Sequence, residues 1–107
     1  MADLIAQGTE PQHRWRHRLP EDQEIVLGRH GDLWAIPWDS HISAAHASLC
    51  WQQGRLAVAQ LVETRNPIFF RGRKEKQFQI SMGEHFVIGA TTFSLADEKL
   101  LLSINEP

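Results

Sequence analysis

Short runs of alternating apolar and polar residues, separated by turn residues, make up most of this chain. The clearest run is 13–19 (HRWRHRL), in which histidines, Trp15 and Leu19 share one face at a strand's two-residue period and three arginines share the other. We predict a strand with one core-directed face and one solvated basic face. Positions 24–27 form a second run that ends at Gly28, and positions 47–52 alternate in the same way.

Turn residues between these runs predict hairpins. Gln53-Gly54 and Arg71-Gly72 both have the composition of tight hairpin turns, and Gly89-Ala90 separates two further apolar runs. The segment 33–38 is predicted to be a short strand that Pro37 interrupts, and the proline marks a sheet edge or a strand end. About ten or eleven short runs at close spacing favour an all-β sandwich over a helical fold.

Composition and charge narrow the class of protein. With 107 residues the chain is predicted to be one domain, and 42% hydrophobic and 22% charged residues are typical of a globular protein. The formal net charge of −2 argues against a partner that is nucleic acid. No apolar run approaches the roughly 18 residues of a membrane-spanning helix, and the single Cys50 favours a reducing compartment, so we predict a cytoplasmic protein.

The residue types used in catalysis and metal binding do not assemble into a site in this sequence. His13 and His17 have a metal-binding spacing only on a helix, whereas their segment alternates as a strand. Ser43 and His46 lack an acidic partner and a nucleophile elbow, and Cys50 lacks a basic neighbour. We therefore predict no enzyme activity, no metal and no cofactor.

Polar clusters follow or precede the predicted strands in a regular order. Gly28-Arg29 comes first, Ser43 to His46 precedes the next apolar run, and Thr64-Arg65-Asn66 follows the one after it. A β-scaffold brings such clusters together when their strands end on one side, and each then contributes a donor to a shared anion or peptide.

The order of these clusters resembles the forkhead-associated (FHA) domain. Its pattern runs Gly-Arg, Ser-x-x-His-Ala, Ser/Thr-Arg-Asn, a turn with Gly, Gly-Asp/Glu-x-x-x-Ile-Gly and a last Thr-x-Phe-x-Leu strand. Each motif alone is weak, but the whole series at matching spacing is specific. The matching segments between about 24 and 95 are Gly28-Arg29, Ser43 to Ala47, Thr64 to Asn66, Arg71-Gly72, Gly83 to Gly89 and Thr92 to Leu95.

The resemblance implies a β-sandwich whose loops at one end bind a phosphothreonine peptide. Arg29 would be the guanidinium that binds the phosphate, Ser43 a second phosphate ligand and Asn66 a ligand of the peptide main chain. Thr64 and Arg65 would also bind the phosphopeptide, with Arg65 close to the phosphate, where it would compensate for the donor that Ala44 lacks.

The resemblance also implies structural roles and a wider setting. Gly28 and His46 would support the loops. The partner would be a threonine-phosphorylated protein, and the domain would belong to a longer signalling protein, beside a cyclase, a kinase or a regulator.

Two positions depart from the family pattern and leave an alternative open. Ala44 stands where many members have Arg, Lys or Asn, and Pro67 stands where glycine usually follows the asparagine. The alternative is an interaction module that binds its partner without a phosphate. Two other interpretations stay open as well, a surface ion pair of Arg29 with Asp32, and core packing rather than peptide contact for Trp34 and Trp38.

Overall fold

The computed structural model describes residues 2–61 and 66–97. Ten strands account for the regular structure in these residues, which contain no helix that would cross a membrane. The strands are β1 (Ala2–Gln7), β2 (Arg14–Arg18), β3 (Glu24–Leu27), β4 (Ala47–Gln52), β5 (Arg55–Gln60), β6 (Ile68–Phe70), β7 (Arg73–Lys74), β8 (Gln77–Ile80), β9 (His85–Ile88) and β10 (Thr91–Asp97).

The strands form two antiparallel sheets. One has six strands in the order β2-β1-β10-β9-β6-β7 and the other has four in the order β3-β4-β5-β8. Alternate side chains are buried in several of the strands, as in β4, where Ala47, Leu49 and Trp51 are buried while Ser48 and Cys50 are half-buried. The predicted all-β sandwich is thus confirmed.

Local sequence signals account for the hairpins. Gln53 and Gly54 have φ values of 50° and 77°, and Arg71 and Gly72 have 54° and 77°. Positive φ at both central residues matches the right-handed twist of the flanking strands, which is why these turns join β4 to β5 and β6 to β7.

Two local predictions were wrong. Residues 33–38 are not a strand, and their one strand-like pairing is the isolated bridge between Gly28 and Ala35. The predicted basic face of β2 is not simply solvated, because Arg16 Nε donates to Asp3 Oδ2 at 2.6 Å and the Asp3 side chain is 8% exposed. The neighbouring strand β1 supplies this carboxylate, so the sequence of β2 alone gives no sign of it.

Three chain connections begin and end on one side of the sandwich. The long loop 28–46 runs from the end of β3 to the start of β4, and the segment 61–67 runs from the end of β5 to the start of β6. Ile88 at the end of β9 pairs with Ile68 at the start of β6, so the Gly89-Ala90 turn lies on this side too.

Candidate functional site

A groove opens at this end of the sandwich, between the 28–46 loop and Asn66. We call it the polar groove. It has a volume of about 360 Å³ and is lined by Arg29, Ser40, His41, Ile42, Ser43, Ala44 and Asn66. The structure therefore brings together the three side chains that the family resemblance predicts as main ligands, although they come from two separate loops.

Backbone hydrogen bonds fix Arg29 at the junction of two parts of the long loop. The Arg29 amide donates to the Ser43 carbonyl at 2.9 Å, and the Ile36 amide donates to the Gly28 carbonyl at 2.8 Å. Because both bonds belong to the main chain, the position of Arg29 at the groove does not depend on its own side chain.

Arg29 is half-buried, and its guanidinium forms only weak hydrogen bonds. Its Nη1 donates to the carbonyls of Ser40 and Ile42, both at 3.4 Å, which is long for such bonds. It forms no ion pair with Asp32, so that interpretation was wrong, and it meets no carboxylate elsewhere in 2–61 or 66–97. Most of its five N–H donors remain available to an anion.

Ser43 is held by its backbone, and its hydroxyl forms no hydrogen bond with the described residues. The Ser43 amide donates to His46 Nδ1 at 3.0 Å. The hydroxyl of this half-buried residue lies at the polar groove and is free to donate to a ligand there.

His46 holds together the two loops that line the groove. The imidazole is fully buried, and its Nε2 lies 2.8 Å from the Asn66 carbonyl. Its backbone carbonyl accepts a hydrogen bond from the Leu61 amide at 2.9 Å. Since Nδ1 accepts from Ser43 and Nε2 donates to Asn66, the ring is the neutral Nε2–H tautomer and is not available as a base for the Ser43 hydroxyl.

Protonation of His46 is expected to destabilise the protein. Burial lowers its pKa from the ordinary 6.5, and this exceeds the opposite effects of the Asn66 carbonyl and the Asp39 charge. A proton on Nδ1 would also face the Ser43 N–H donor. The unfolded chain therefore binds this proton first, and the free energy of unfolding should fall as the pH drops below about 6.5. Urea denaturation between about pH 7.5 and about pH 5.5 measures this.

A matched histidine variant separates this effect from that of other titrating groups. His46→Gln should flatten the pH dependence, whereas His85→Gln, at an exposed position, should leave it intact. The pKa values of Asp39 and Glu84 are lowered from 3.8 and 4.5, so these carboxylates contribute only in more acidic solution. Two results would contradict the expected effect of His46 protonation. One is a free energy of unfolding that stays constant over this pH interval, and the other is a pH dependence that remains in His46→Gln.

Asn66 lines the groove with its side chain already tied to the opposite loop. Its Nδ2 donates to the His41 carbonyl at 2.7 Å, which leaves a second N–H and the amide oxygen for a ligand. Ala44 is exposed at the same groove and contributes no side-chain donor. Thr64 and Arg65 lie outside the described residues.

Asp39 supports this loop, and its role was missed by reasoning from sequence. Its buried carboxylate accepts hydrogen bonds from the His41 amide at 3.0 Å, the Ala90 amide at 2.9 Å and the Thr91 hydroxyl at 2.7 Å. Burial alone raises the pKa of Asp39, but these bonds together outweigh it and lower the pKa. The local signal was an Asp two residues before an amide donor, as in an Asx turn.

Trp34 and Trp38 both pack, half-buried, against the hydrophobic core, as the packing interpretation predicts. Trp38 in addition lines a second groove, to which Arg29 also contributes. Packing against the core and contact with a peptide are therefore compatible for Trp38.

No family model matches this chain, and no curated protein sequence matches it. Solved structures do match it. The FHA domain of the CT664 protein from Chlamydia trachomatis is 21% identical, with a TM-score of 0.74 over 90% of this chain and 96% of that one. The FhaA FHA domain, solved in complex with the intracellular domain of Rv3910, is 17% identical, with a TM-score of 0.73 over 89% and 99%.

A third similar structure contains a phosphorylated ligand. It is the FHA domain of yeast Dun1 in complex with a doubly phosphorylated (pT) peptide derived from Rad53, and it is 19% identical. Its TM-score is 0.66 over 89% of this chain and 72% of that one. In all three cases the likeness is one of fold and spans most of this chain.

Proposed function

From the forkhead-associated fold of this chain, we propose that it is an interaction module that binds threonine-phosphorylated peptides in Ser/Thr-phosphorylation signalling. The phosphate would lie in the polar groove on Arg29 and Ser43, and Asn66 would bind the peptide main chain. The proposed setting is a reducing compartment such as the cytoplasm, in keeping with the single cysteine of the sequence.

One observation carries the proposal, namely that Arg29, Ser43 and Asn66 line a single groove while keeping free donors. A phosphothreonine has a charge of about −1.5 to −2 and three acceptor oxygens, so it requires a cation together with neutral donors. The guanidinium has only two long bonds to carbonyls, and the Ser43 hydroxyl has no partner among the described residues. The peptide-bound yeast structure of the same fold supports the assignment.

The second candidate function is binding of a protein partner without a phosphate. Exposed Ala44 favours it, because a donor is missing where many members of the family have one. Pro67 favours it as well, because it stands where glycine usually follows the asparagine in the family.

Arg29→Ala is expected to weaken phosphopeptide binding by roughly thirtyfold, equivalent to about 2 kcal/mol, because hydrogen bonds to charged groups contribute about that much. The measurement is a titration with a degenerate threonine-phosphorylated peptide library and with the same library unphosphorylated. Arg55→Ala is the matched control, since Arg55 is exposed and begins β5 at the end away from the groove.

The two candidate functions give different results in this titration. Phosphate-dependent binding requires that the unphosphorylated library bind far more weakly and that Arg29→Ala, unlike Arg55→Ala, lower the affinity. Equal binding of both libraries would exclude the phosphothreonine assignment and favour the phosphate-independent module.

A further inference from the structure

A second groove shares Arg29 with the polar groove but is not lined by Asn66, and we call it the aromatic groove. It has a volume of about 570 Å³. Its walls include the rings of Trp15 and Trp38 with Leu33, Ala35 and Pro37. Its polar lining includes His17, His30, Asp32 and Arg29.

The first aromatic wall, Trp15, is held in a fixed orientation. Its indole Nε1 donates to the Ala35 carbonyl at 2.8 Å. The ring stacks on His17 with centroids 4.7 Å apart, and it meets the edge of Trp34 at 5.5 Å and an interplanar angle of 86°. The indole N–H is thus satisfied within the protein, and an apolar ring surface is left toward the groove.

The second aromatic wall, Trp38, is fixed by different contacts. Its Nε1 donates to the Thr91 hydroxyl at 3.1 Å, and its ring stacks on His13 with an interplanar angle of 3° and centroids 5.6 Å apart. Because both indoles are already anchored, a ligand would not have to order them, and this lowers the entropic cost of binding.

The apolar part of the groove is open to solvent. Leu33 is 55% exposed, the highest exposure among the large hydrophobic side chains of the described residues. The charges near it are of both signs, Arg29 and Asp32, so the groove does not favour an ion. An aromatic and aliphatic surface beside polar and charged groups is typical of a site that takes up an apolar side chain.

Arg29 lines both grooves, so a peptide whose phosphate lies on Arg29 has the aromatic groove beside it. An extended peptide advances about 3.3 Å per residue, so a residue close to the phosphothreonine would reach the groove. We propose that the aromatic groove binds a large apolar or aromatic side chain of the same phosphopeptide. The site then recognises a phosphothreonine together with an apolar neighbour. This inference rests on the proposed function of the polar groove.

The test is a set of phosphothreonine peptides in which each flanking position in turn carries Ala, Leu, Phe or Trp. At one flanking position the large apolar residue should bind about tenfold more tightly than alanine, as expected for burial of one such side chain. Leu33→Asn should reduce this advantage several-fold while binding the alanine peptide as the unmodified chain does. Val26→Thr is the matched control, because Val26 is 47% exposed on β3, outside both grooves.

The indole N–H signals of the chain provide a second measurement by NMR. The apolar phosphopeptide should shift the signals of Trp15 and Trp38 more than its alanine counterpart does. Trp51 is buried on β4 and serves as an internal reference that should not shift. Three results together would support the inference. They are a preference for an apolar residue at one flanking position, the loss of this preference in Leu33→Asn, and the shifts of the Trp15 and Trp38 signals.

Several results would overturn the inference, and they differ from a failure of the proposed function. If phosphorylated peptides bind through Arg29 but no flanking position prefers an apolar residue, the aromatic groove is not a peptide subsite. If apolar peptides shift both indoles equally with and without phosphate, the groove has a phosphate-independent ligand. Self-association that Leu33→Asn abolishes would assign the groove to a second copy of the chain.

Discussion

Replacing Asp39 with alanine is expected to lower the free energy of unfolding by about 3–5 kcal/mol, because one buried donor and several partly buried donors would lose their acceptor together. The Asp39 side chain is 2% exposed. Its Oδ1 accepts from the amide and the Nδ1 of His41, and its Oδ2 accepts from the Ala90 amide and the Thr91 hydroxyl. Water would not easily replace an acceptor in so enclosed a position.

Loss of the Asp39 carboxylate should also disturb the polar groove and the aromatic groove. Asp39 joins the loop that carries Ser43 to the turn between β9 and β10, and Trp38 donates to the same Thr91 hydroxyl. Gly89 in that turn has a φ of +60°, and a Cβ there would lie 2.7 Å from His41 Cβ, so the turn and the loop are already in close contact. Asp39→Ala should therefore also weaken phosphopeptide binding.

Urea denaturation followed by far-UV and tryptophan signals measures the stability of this variant. Asp39→Asn should also be strongly destabilised. The NH2 group of asparagine would replace a carboxylate oxygen that accepts hydrogen bonds, and two donors would then face each other. Asp32→Ala is the control in the same loop, and its exposed side chain should change stability by less than about 0.5 kcal/mol. If Asp39→Ala is no less stable than Asp32→Ala, Asp39 does not have the supporting role inferred here.

Gly28→Ala is expected to cost about 3 kcal/mol of stability, at the upper end of the range for overpacking. A Cβ at Gly28 would lie 2.0 Å from the Ala44 carbonyl oxygen and 2.7 Å from the Ala44 carbonyl carbon. Both atoms belong to the backbone, so no side-chain rotation relieves the contact. The start of the 28–46 loop, which carries Arg29, and the segment that carries Ser43 would have to separate, and phosphopeptide affinity should fall as well.

A second glycine variant separates this contact from general backbone strain. Gly54 has a φ of +77° but nothing within 4 Å of its added Cβ, so Gly54→Ala should lose about 1–2 kcal/mol through its conformation alone. It lies in the β4–β5 turn, away from the grooves, and should retain the affinity of the unmodified chain. Unchanged phosphopeptide affinity in Gly28→Ala would show that the close approach of Gly28 to Ala44 does not position Arg29 and Ser43.

Local sequence patterns were sufficient to predict the fold. Two-residue alternation predicted the strands, Gln53-Gly54 and Arg71-Gly72 predicted the hairpins, and the motif series predicted the forkhead-associated fold that the solved structures share. Each of these signals depends on residues close together in the chain, where backbone preference and side-chain period act directly. The ligand roles of Arg29, Ser43 and Asn66 stay predictions until peptide binding is measured.

Contacts between distant segments could not be predicted in this way, because any of many polar side chains would have been an equally good partner. The Asp39 carboxylate accepts a hydrogen bond from Thr91, which lies near the other end of the chain. The His46 ring forms hydrogen bonds with both Ser43 and Asn66. Arg16 on β2 donates to Asp3 on β1. The aromatic groove likewise exists because the 28–46 loop folds against Trp15 of β2. Periodicity predicted most of the strands, whereas the packing of the two sheets and their loops decided which polar groups come into contact.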